Sequence, residues 1–93
     1  MKVLEIITLC WGTMADEPRK ELQHCIEEAR KAGLVSVQLF RSASFPEDIA
    51  IHLEHDSLST PNGSHFGIRL AEALRVHGPV SHSVWRSMEG KQL

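Results

Sequence analysis

Two neighbouring stretches alternate residue by residue, and this alternation constrains the chain more than any other feature. In Leu34–Ser42, Val35, Val37 and Leu39 point one way and Ser36, Gln38 and Phe40 the other. In Asp48–His55, Ile49, Ile51 and Leu53 share one face and Ala50, His52 and Glu54 the opposite one. Side chains two apart on a strand share a face, so both stretches read as strands, joined by a turn at Ser44-Phe45-Pro46-Glu47. The product is a β-hairpin with one aliphatic face and one mixed face. The aliphatic face requires a second layer to bury it.

The other segments supply that layer. Lys2–Cys10 carries apolar residues on both faces, Leu4 and Ile6 on one and Val3, Ile7 and Leu9 on the other, as in a central strand; Glu5 and Thr8 interrupt the run. From Glu17 to Ala32, Leu22, Cys25, Ile26 and Ala29 recur at helical spacing with charges on the remaining face. Asp16 is placed to cap this helix, Pro18 to fill its first turn and Gly33 to end it. Ser57 to Gly63 is a loop by composition, after which Ser64 caps a second helix with the stripe Phe66, Leu70, Ala71 and Leu74. Gly78-Pro79 stops that helix near Val76. Val80–Ser87 alternates again, with Val80, His82 and Val84 against Ser81, Ser83 and Trp85, and residues 88–93 read as a polar tail.

The order strand-helix-strand-strand-helix-strand, with right-handed crossovers, predicts a ferredoxin-like α+β fold. Its first and third strands lie in the centre of a four-stranded antiparallel sheet, and both helices cover one face. A chain of 93 residues accommodates one such domain, with an ordered core expected over about residues 2–87. The uncovered face carries Gln38, Phe40, His52, Glu54 and Trp85, too apolar to stay wet and too polar for a monomer core. The expected partner is therefore a second copy, a homodimer packed through the sheet faces.

A composition of 42% hydrophobic and 24% charged residues excludes a disordered or coiled-coil chain. The lysines and arginines are scattered and the formal net charge is -2, so no nucleic-acid partner is expected. The apolar opening segment is far shorter than the ~20 residues that span a bilayer. No membrane association is expected, and the chain reads as cytoplasmic. Cys10 and Cys25 match no metal or redox spacing; Cys25 reads as a small buried hydrophobe and Cys10, at a strand end, as the better thiol.

The element order, together with Leu53-Glu54-His55-Asp56-Ser57, the helix Gly67-Ile68-Arg69-Leu70-Ala71-Glu72-Ala73-Leu74, His77-Gly78-Pro79-Val80 and Ser83-Val84-Trp85, resembles the antibiotic biosynthesis monooxygenase-type domain of the dimeric α+β barrel superfamily. The resemblance runs from Val3 to about Ser87. It implies a homodimer whose two sheets close into a barrel, with a small-molecule pocket between helices and sheet in each protomer. It also implies, by analogy with characterised members, cofactor-independent oxygenation of a small aromatic substrate. Two departures stand out. Many relatives carry Trp where this chain has His55, and the first-strand Asn of the haem-degrading members is absent, which sets haem breakdown aside.

An oxygenase without a cofactor needs a base that converts a phenolic substrate into an anion electron-rich enough to reduce dioxygen, a task suited to imidazole. His52, mid-strand beside Phe40 and Gln38, is the first candidate and His82 the second; Gln38, Phe40, Glu54 and Trp85 are candidate substrate contacts. Trp85 and Trp11 can stack on a planar ligand. A metal would need His52, Glu54 and His82 to converge from two strands, and no histidine pair has ligand spacing, so no metal is expected. The competing reading makes His52 a hydrogen-bonding residue of the dimer interface and the chain a non-catalytic dimeric module that binds a small molecule or simply assembles. An aromatic content of 5% without Tyr speaks for that alternative.

Overall fold

The computed structural model describes residues 2–10, 19–31, 36–56 and 63–88. The expected helix signals at Asp16, Pro18 and Gly33, the loop over residues 57–62, Trp11, and the tail from Glu89 onward lie outside these residues. In chain order the elements are β1 (Val3–Cys10), α1 (Arg19–Lys31), β2 (Ser36–Arg41), β3 (Asp48–His55), α2 (His65–Leu74), a single 3-10 turn (Arg75–His77) and β4 (Val80–Arg86). The strands form one antiparallel sheet in the order β2-β3-β1-β4, the ferredoxin-like arrangement that the segment order predicts.

Alternation along β1 sorts the two faces. Val3, Glu5, Ile7 and Leu9 are buried beneath the helices, while Leu4, Ile6 and Thr8 turn to the other face and are half-buried. Ile7 stands opposite Ile51 of β3 on one side and His82 of β4 on the other. The core joins Ile7, Leu9, Ile49, Ile51 and Leu53 of the sheet to Leu22 and Cys25 of α1 and Leu70, Ala71 and Leu74 of α2. Burial of each large aliphatic side chain contributes about 1.5–3 kcal/mol. The same burial pushes the Cys25 thiol up to about 11, which leaves it protonated and inert at neutral pH.

The hairpin turn is closed locally. Ser42 Oγ accepts from the backbone N–H of Ser44 and Phe45, Arg41 Nη1 donates to the Pro46 carbonyl at 2.6 Å, and Asp48 N–H donates to the Phe45 carbonyl at 2.8 Å. On α2 the buried stripe is Gly67, Leu70, Ala71 and Leu74. Phe66, expected on that stripe, is half-buried and packs against the core, and Gly67 is buried beside it.

On the open face, the Phe40 and His52 rings lie with centroids 4.5 Å apart and planes tilted by 48°. Phe40 is 46% exposed and Trp85 58% exposed, with the indole N–H donating to Ser83 Oγ at 2.9 Å. No helix of the described residues is long and apolar enough to cross a membrane.

Candidate functional site

Glu5 points into the helix side of the sheet and is completely buried. An isolated carboxylate there would cost several kcal/mol of lost hydration, so the surrounding elements must supply partners. The strand register does so. Glu5 stands opposite Leu53 of β3 and Val84 of β4, which makes His55 and His82 its diagonal neighbours on the same face. His55 Nε2 lies 2.9 Å from Glu5 Oε1, and His82 Nε2 lies 2.5 Å from Oε2.

The start of α2 completes the shell. Ser64 donates its backbone N–H to Glu5 Oε2 at 3.1 Å and its hydroxyl to Oε1 at 2.8 Å. The same hydroxyl accepts the Gly67 N–H at 2.9 Å, so one side chain caps the helix and ties it to the carboxylate. Two glycines let the backbone come this close. A Cβ on Gly63 would meet both Glu5 and the His82 ring, and Gly63 also has φ +111°, a conformation that L side chains rarely adopt. A Cβ on Gly67 would run directly into the Glu5 carboxylate.

These contacts fix the ring orientations chemically. A carboxylate can only accept hydrogen bonds, so both imidazoles donate through Nε2–H. In a neutral ring the lone pair then sits on Nδ1, which is the atom able to take a proton. Every buried polar side-chain atom among the described residues has a partner.

A cavity of about 490 Å³ adjoins this cluster, lined by Glu28, Lys31, His55, Ser64, His65, Phe66 and Arg69. His55 and Ser64 thus belong both to the Glu5 shell and to the cavity wall. A second hollow, about 510 Å³, lies at the opposite end of the sheet among Cys10, Phe40, Arg41, Asp48 and Pro79. It touches no member of the Glu5 cluster, and the chemistry therefore favours the first despite their similar size. No group of three His, Cys, Asp or Glu among the described residues is placed to hold a metal ion.

Comparison with solved structures gives consistent matches over nearly the whole chain. A candidate antibiotic biosynthesis monooxygenase from Deinococcus radiodurans superposes with a TM-score of 0.67 at 18% identity, covering 98% of this chain and 97% of the other. The Rv0793 protein of Mycobacterium tuberculosis gives 0.65 at 19% identity, covering 96% and 97%. A further structure described as antibiotic biosynthesis monooxygenase gives 0.62 at 12% identity, covering 95% and 99%. The chain shares the ferredoxin-like fold of these proteins. No family model matches its sequence, and no curated protein does.

Within this ferredoxin-like fold the six residues singled out from the sequence fall on two faces. Gln38, Phe40, His52, Glu54 and Trp85 lie on the open face, where Phe40 meets His52 and Glu54 faces Lys2 at 3.8 Å. His82 lies on the helix face, against Glu5. The two candidate bases therefore do not share a site, and the set His52, Glu54 and His82 is not assembled. Glu5, His55 and Gly67 were not among the sequence candidates, and Ser64 was expected as the cap of α2, which it is. The signal for them is the position of Glu5 itself: alternation puts this carboxylate in register with Val3, Ile7 and Leu9, and an inward-facing charge implies inward-facing partners.

Proposed function

We propose that this protein is a dimeric, cytoplasmic oxygenase that acts without a cofactor on a small aromatic substrate bound in the cavity beside Glu5. The observation that carries the reading is the buried carboxylate shared by two imidazoles, one of which lines that cavity. Apolar residues of similar size would generally stabilise such a position as well as or better than a buried ionic cluster. Its presence in a small core is therefore more readily explained by chemistry than by stability.

His55 is the proposed base. Glu5 holds its Nε2–H, leaving Nδ1 to remove a proton from a hydroquinone or from the methylene of an anthrone. The resulting anion passes electrons to dioxygen; one oxygen atom is retained, as the new carbonyl of an anthrone or as a ring hydroxyl on the quinone formed from a hydroquinone, and the other leaves as water, so that the organic substrate is the only reductant. His82, on the second carboxylate oxygen, keeps Glu5 in place. The names carried by the structurally similar proteins support the same class of reaction.

Dioxygen consumption with a panel of hydroquinones and anthrones tests this reading. His55→Gln is expected to slow uptake by about 100-fold or more, the usual contribution of a positioned base, and His52→Ala to leave it near the wild-type rate. The opposite ranking would move the base to the open face, and an absence of uptake by the wild type with every compound would remove the oxygenase assignment.

One observation favours a second reading. Each Glu5 oxygen already has two partners within the chain, as expected of a polar staple that fastens α2 to the sheet. On that reading the protein is a non-catalytic module, and a compound that raises its melting temperature would be recovered unchanged. In either case the exposed Phe40 and Trp85 support self-association through the open face. Light scattering at micromolar concentration is expected to give twice the 10.4 kDa chain mass, and a monomer mass would exclude it.

A further inference from the structure

The cavity beside Glu5 has an uneven charge. Lys31 lies 3.9 Å from Glu28, and these two opposite charges offset each other at its rim. Arg69 has no ion pair among the described residues, although Glu72 on the next turn is engaged with Arg75 at 3.5 Å. Among the described residues Arg69 is therefore a cavity-lining cation without an ion-pair partner. Phe66 precedes Arg69 by three residues on α2, so the ring and the guanidinium rise from the same side of the helix and both border the cavity.

A flat apolar surface beside an unpaired planar cation is complementary to one class of ligand. We infer that the cavity binds aromatic carboxylates, with the ring against Phe66 and the carboxylate gripped by the Arg69 fork. Guanidinium presents two parallel N–H donors that match a carboxylate in bidentate fashion, which a lysine ammonium cannot do. The volume of about 490 Å³ lies within the range of small-molecule sites and accommodates a fused two-ring acid. His55 and Ser64 line the same cavity, so an aromatic acid held by Arg69 lies beside the Glu5 cluster. This assignment rests on the cavity's being the ligand site of the proposed oxygenase and names the substrate class as acidic.

Isothermal titration of the full chain with 2-naphthoate, and with the neutral 2-naphthamide, tests the inference without requiring turnover. The acid is expected to bind at least tenfold more tightly than the amide. Arg69→Gln is expected to abolish that preference, and Arg69→Lys to restore it only in part. Arg30→Gln, on α1 and outside the cavity wall, is expected to leave it unchanged. Equal affinity for acid and amide, no binding of 2-naphthoate at millimolar concentration, or an unaltered preference in Arg69→Gln would each overturn the inference. A wild-type protein that takes up dioxygen but shows no preference for the acid would remove the substrate class alone. Acid binding without uptake of dioxygen on any compound would remove the oxygenase reading and leave the binding site standing.

Discussion

Glu5→Ala is expected to destabilise the fold by about 3–5 kcal/mol, the range found when one member of a buried ionic group is removed. The substitution takes four contacts at once: the two imidazoles, the Ser64 N–H and the Ser64 hydroxyl. Each stranded donor keeps the cost of its burial without the bond that offset it. Domains of this size are stable by only about 5–15 kcal/mol in total, so the variant will stand near the edge of folding. Glu5→Gln provides a milder companion. It keeps the shape, but whichever oxygen becomes an NH2 leaves at least one Ser64 or imidazole donor without an acceptor, and a loss of about 1–3 kcal/mol follows. Urea unfolding at pH 7 measures both. A Glu5→Ala protein within about 0.5 kcal/mol of wild type, the ordinary scatter of surface substitutions, would mean that the carboxylate is not the centre of a buried network.

Gly67→Ala is expected to reverse the ordinary helix rule. In an exposed helix interior the change from Gly to Ala gains about 1 kcal/mol. At Gly67 the added methyl occupies the space of the Glu5 carboxylate. That carboxylate must move, and each charge-assisted hydrogen bond it gives up costs about 1.5–3 kcal/mol. We expect a net loss of about 2–4 kcal/mol. The side chain of Asp is shorter by one methylene, so Glu5→Asp makes room for the methyl. The double variant Glu5→Asp with Gly67→Ala is expected to be more stable than the two separate losses would predict, a coupling that denaturation of all four proteins resolves. Simple additivity would show that Gly67 and Glu5 do not compete for the same space.

The contrast between these two residues and the hairpin shows where sequence is informative. Alternation over Asp48–His55 marks a strand whose observed bounds are the same, because each residue's face follows from its neighbours two positions away. The sheet order follows in turn from element order and crossover handedness. The Glu5 cluster depends on a different kind of information. Its members are separated from Glu5 by 50, 59 and 77 residues, and they meet only because two strand registers and one helix start converge. A shift of one residue in either pairing would turn His55 or His82 to the other face.

Pattern alone reads Glu5 as an interruption in an apolar run and Gly67 as an ordinary helix residue. Both are explained by a single fact that the third dimension supplies: a carboxylate occupies the place where a core side chain would otherwise sit. The open face was legible in outline, since Gln38, Phe40, His52 and Glu54 follow directly from the hairpin alternation. Alternation also sets His82 of β4 against Trp85; what it leaves undetermined is that His82 meets Glu5 across the register.

The imidazoles of His55 and His82 offer the most direct test of the account, because a carboxylate that only accepts hydrogen bonds dictates which ring nitrogen carries the proton. Long-range proton–nitrogen correlation spectra of 15N-labelled protein at neutral pH assign that nitrogen for each histidine. Both rings are predicted to carry hydrogen on Nε2, with those two protons protected from exchange while the proton of exposed His24 is not. A spectrum in which His55 and His82 are Nδ1–H tautomers, or exchange as freely as His24, would contradict a Glu5-centred site.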